Sequence, residues 1–102
     1  MVSNQDLETP INSFQQLMAI TAEECGELTQ VCMKIMRKYD SLDNASKDKY
    51  ITLLVEEAGD VLCMLELMSE HGLFDWKDIY DRADVKREKL KLWSTLINEE
   101  AV

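Results

Sequence analysis

Two short acidic motifs hold the residues of this chain best suited to chemistry. Glu23-Glu24-Cys25-Gly26-Glu27 is an EExxE pattern, and Glu56-Glu57-Ala58-Gly59-Asp60 contains ExxD. On a helix, a step of three places two side chains next to each other on one face, so each motif offers a pair of carboxylates. At roughly 100° per residue, Glu24 falls inside the apolar stripe of Leu17, Leu28, Val31 and Ile35. Glu27 lies at the edge of that stripe near Ile20, and Glu23 lies further out. Glu57 and Asp60 straddle the line through Leu53, Met64 and Leu67, whereas Glu66 and Glu70 fall to the side and read as solvated. One such pair is a weak signal in an acid-rich chain. Two pairs on the apolar faces of consecutive helices are a stronger one.

Carboxylates that converge repel one another unless a positive charge sits among them. Lys34, Arg37 and Lys38 fall at the far end of the first helix and do not share the stripe with the acids. A divalent cation is the simpler partner. Ligands that are all carboxylate oxygens suit a hard ion, which favours Mg²⁺ or Mn²⁺ over zinc or copper. Three cysteines and one histidine, His71, do not assemble a zinc set at the usual spacings. The Glu-x-x-His pairs of a di-iron bundle are absent, and Asp40-Ser41-Leu42-Asp43 lacks the ligand spacing and glycine of an EF-hand.

Helices must position these acids, and the pattern predicts three. Thr9-Pro10 reads as a helix start, and apolar residues then recur at steps of three and four to Met36, giving a helix over 10–38 with a possible break near Ala22. Asp40 to Ser46 reads as a polar linker. A second helix is expected over 47–71, closed by Gly72, and a third over 76–97, capped by Asp75. The third has a seven-residue rhythm of Ile79, Ala83, Lys86, Leu90, Trp93 and Ile97. Gly26 and Gly59, costly inside helices, suggest close approach of the two acid-bearing helices. Three such helices make an open layer rather than a closed core. The expected fold is therefore all-α, part of a helical bundle completed by homo-oligomerisation as a dimer or tetramer.

The bulk properties agree. With 102 residues the chain is expected to form a single domain over 1–102, with 1–9 a flexible arm. Three glycines and one proline are too few for a barrel or sandwich. A net charge of −9 disfavours nucleic-acid and anionic-membrane partners, and no apolar run reaches spanning length. The N-terminus lacks the features of a signal peptide, so a cytoplasmic location is expected. Cys25, Cys32 and Cys63 sit in apolar helical patterns and read as buried free thiols.

The paired motif resembles the MazG-like, all-α nucleoside triphosphate pyrophosphohydrolases, whose signature is EExxE, a spacer, then ExxD. Ala22 to Gln30 and Glu56 to Leu62 are similar to the family in their flanking residues too, and the likeness extends over roughly 14–92. The 29 residues between Glu27 and Glu57 make a slightly long spacer, attributable to the linker at 40–46. The resemblance implies that Glu24, Glu27, Glu57 and Asp60 hold Mg²⁺, with Mn²⁺ as a substitute. It implies Glu23 and Glu56 as supporting or second-metal acids, and hydrolysis of a nucleoside triphosphate to monophosphate and pyrophosphate. Glu24 or Glu27 is the candidate to accept the proton of the attacking water. Lys86, with Arg82 one turn away, is the candidate for the phosphates, and Trp76 for stacking on a base, as is Trp93. A dimeric, all-α dUTPase-like hydrolase uses the same acid logic. An acidic helical interaction module without activity is the reading from another class.

Overall fold

The computed structural model describes residues 12–97, and they fold as three α-helices with no strand among them. The first, α1, spans Ser13–Lys38. It starts where Asn12 and Gln15 cap each other: the Gln15 backbone N–H donates to Asn12 Oδ1 at 2.8 Å, and the Asn12 N–H donates to Gln15 Oε1 at 3.0 Å. This reciprocal box satisfies two otherwise orphaned donors and sets the boundary at Ser13, later than the expected start at Pro10. Thr9 and Pro10 themselves lie outside the described residues. The helix runs unbroken past Ala22. Arg37 and Lys38 occupy its last turn, where positive charge complements the exposed carbonyls.

A 3-10 turn at Tyr39–Ser41 and extended Leu42 return the chain. Asp43 then starts α2, Asn44–Glu70, three residues earlier than expected. Its Oδ1 accepts from the Ser46 backbone N–H at 2.8 Å, and its carbonyl accepts from Lys47 N–H at 3.0 Å. Those bonds from Ser46 hold the Asp43 carboxyl below its usual range. Gly72 closes the helix with φ of 76°, a left-handed conformation that favours glycine, and donates to the Ser69 carbonyl at 2.9 Å.

Asp75 caps α3, Trp76–Trp93, accepting from Lys77 N–H at 3.2 Å. This helix ends four residues short of the expected Ile97. Ser94 turns extended, and its hydroxyl donates to the Leu90 carbonyl at 2.9 Å. None of the helices among the described residues is long and apolar enough to cross a membrane.

The chain divides into two units, residues 1–68 and 69–102. In the first, α1 and α2 form an antiparallel hairpin. Its core is small, with only Leu17, Val31 and Met64 buried. Lys47 sits over the Tyr39 ring at 5.0 Å from the centroid, which secures the turn end. The cysteines correct the sequence reading: all three are free, but each is exposed. They lie on the flanks of the helices, off the narrow seam the two helices share. The close approach expected at Gly26 and Gly59 is also absent, since a Cβ built at either would meet nothing within 4 Å.

In the second unit, no residue of α3 is buried. Trp93, expected in an apolar stripe, is 82% exposed. Phe74 meets Trp76 edge-on at 5.6 Å between ring centroids, and Trp76 meets Tyr80 at 5.7 Å. The i,i+4 pair Lys77–Asp81, at 2.6 Å, supports the exposed side of the helix.

Candidate metal centre

The hairpin brings the two acid pairs together. Glu27 lies 11 residues before the end of α1 and Glu57 13 residues after the start of α2. At about 1.5 Å per residue, each is therefore ~16–20 Å from the turn, and the antiparallel helices meet at the same level. Glu24, Glu27, Glu57 and Asp60 each offer a carboxylate oxygen, and these atoms all lie within 4.8 Å of one another. Glu24 and Glu57 are half-buried and Glu27 and Asp60 exposed, so the cluster has a floor between the helices and a rim open to solvent.

The floor carries an electrostatic problem. Glu24 Oε2 and Glu57 Oε2 are buried oxygens without a hydrogen-bond partner. Withdrawal from water pushes the Glu24 carboxyl above its usual range, and the charges of Glu27 and Asp60, a hydrogen bond toward Asp60 and the charge of Glu23 add to this. Glu57 is raised by the same loss of water, then by a hydrogen bond toward Glu27 and by the charges of Glu27, Asp60 and Glu24. Ionised carboxylates have only acceptors, so those bonds need a proton. Each floor acid thus pairs across the hairpin with a rim acid, Glu24 with Asp60 and Glu57 with Glu27. Without a cation, the cluster relieves its repulsion by keeping protons.

These residues fit a hard divalent ion. An octahedral ion with oxygens at about 2.1 Å spans roughly 4.2 Å, close to the observed separation limit of 4.8 Å. Two unpartnered oxygens supply ligand positions that nothing else in the hairpin uses. Neither ion pair found among the described residues, Lys77–Asp81 or Lys91–Glu88, involves these acids.

The remaining candidates stand apart in role. Glu23 is exposed and adds to the field at Glu24, while Glu56 is exposed and outside the four. Lys86 and Arg82 are exposed residues of the second unit. Trp76, also there, is half-buried and packs between Phe74 and Tyr80, so its ring serves local structure. The sequence reading found the four acids but missed their diagonal pairing across the hairpin. The signal was present: in an antiparallel pair, the first acid of one motif faces the last of the other. No family model matches the chain, nor does any curated protein or solved structure.

Proposed function

We propose that the protein is a Mg²⁺-dependent hydrolase that cleaves nucleoside triphosphates to monophosphate and pyrophosphate. The observation that supports this reading most is the convergence of two i,i+3 acid pairs into one four-carboxylate cluster with two unpartnered floor oxygens. When bound, Mg²⁺ would supply charge to offset the phosphate oxygens and would acidify a water for attack. Glu24, Glu27, Glu57 and Asp60 would hold it. Glu27, on the exposed rim, can reach an incoming water, and Glu24 beside it has a raised proton affinity. Either can accept that water's proton. Lys86 and Arg82 are the proposed phosphate contacts, with Mn²⁺ as a substitute for Mg²⁺.

The test is product analysis on a panel of ribo- and deoxyribonucleoside triphosphates, with Mg²⁺ and then with EDTA. Equal amounts of monophosphate and pyrophosphate, lost with EDTA, are expected. Strong selectivity for dUTP would place the protein with the dUTPase-like hydrolases. Release of orthophosphate, or turnover that survives EDTA, would overturn the proposal. No turnover with any member, with Mg²⁺ or Mn²⁺, would favour the acidic interaction module.

A further inference from the structure

The α1–α2 hairpin has two unlike sides. Viewed along the pair, Glu27 and Asp60 project to one side. Along the other side of α1 runs a seam of Met18, Ala22, Cys25, Thr29, Cys32 and Met36, at alternating steps of four and three. On α2, Ile51, Val55, Ala58, Leu62 and Leu65 keep the same alternation. Successive residues turn clockwise along a helix running away from the viewer and anticlockwise along one running toward the viewer. Each seam lies about 100° onward from its helix's contact line, so both come out on the same side of the hairpin. This alternation is the one that packs helices into bundles at shallow crossing angles.

The seams are bare. Met36 is 70% exposed, Val55 66% and Leu62 49%. No charged residue interrupts either seam, although 30% of the chain is charged. Even the Thr29 hydroxyl is turned back, donating to the Cys25 carbonyl at 2.8 Å.

We propose that this face docks on the same face of a second copy of the chain, making a four-helix bundle that encloses Cys25 and Cys32. Two features select a second copy as occupant. The exposed apolar area is on the order of 700 Å² per copy, comparable with the ~800 Å² each partner gives a standard interface. The face also carries no charge to recognise an acidic or basic partner, and two chains of net charge −9 associate best through a surface free of acids. The carboxylate cluster lies on the opposite side of the hairpin and stays open. The proposal does not rest on the hydrolase reading.

Cys63 provides an internal control, because it lies on α2 away from the seam. The experiment combines sedimentation with thiol labelling of the full chain, read cysteine by cysteine by mass spectrometry. A dimer is expected in which Cys25 and Cys32 react about tenfold more slowly than Cys63. On dilution to monomer, the three rates should converge. Val55→Asp should give a helical monomer with all three thiols reactive; if it does not fold, Met36→Lys at the seam edge should weaken the dimer. A wild-type chain that is monomeric throughout, or a dimer in which Cys25 and Cys32 label as fast as Cys63, would overturn the proposal.

Discussion

Glu24 and Glu57 are the residues under most strain from their surroundings, since each places an oxygen between helices with nothing to bond. Substituting Glu57→Gln or Asp60→Asn removes a ligand and part of the repulsion together. Hydrolysis should fall by at least about 100-fold, with unchanged helicity by circular dichroism and a higher metal-free Tm. Near-normal turnover in either variant would remove that residue from the site. The pH dependence follows from the same two glutamates. Both carboxyls are raised in the folded chain, so the folded state holds more protons than the unfolded one. Metal-free stability should therefore be greatest at or below the usual glutamate range and decline as pH rises through the window up to the raised values. Asp43 acts in the opposite sense at lower pH, its contribution being lost as pH falls through its depressed value. Thermal melts across pH in EDTA would check this, and a Tm that climbs toward neutral pH would contradict it. The four acids were legible because charges on an apolar stripe break the pattern that places them. The role of Trp76 was not, because a sequence does not distinguish a ring that packs against Phe74 and Tyr80 from one that waits for a base.

At the scale of elements, the three helices could be read from periodicity, whereas their ends were fixed by single polar atoms. Asn12, Asp43 and Ser94 set boundaries that the apolar repeat does not see. The cysteines and glycines show the complementary lesson. A helical stripe wide enough to include Cys25 and Cys32 predicts burial, yet one neighbouring helix covers only the narrower band through Leu17 and Val31. Gly26 and Gly59 have open space around them. Gly26→Ala should accordingly stabilise the chain by about 1 kcal/mol, since alanine loses less backbone entropy and nothing opposes its methyl. A chemical denaturation midpoint above wild type is expected. A loss of stability would mean that the assembled protein packs another surface on that position.

For the whole molecule, the separation of an acidic side from an apolar side in one hairpin is the organising feature. It explains how a chain with so few buried residues supports four carboxylates in one place: the helices meet along a narrow seam, the acids crown one edge, and the opposite edge is left for association. The two-pair constellation and the helical class were visible in the sequence, because both are local patterns on helices. The sidedness was not, because it depends on which helix edges face alike after the chain reverses at 39–43. The central claim is that the four acids act as one cation site, and Mn²⁺ binding followed calorimetrically in buffers of different ionisation enthalpy tests it most directly. Saturable binding with proton release, because the ion displaces protons held by Glu24 and Glu57, and its loss in Asp60→Asn, is the predicted result. Absence of binding, or equal binding by the wild type and Asp60→Asn, would contradict it.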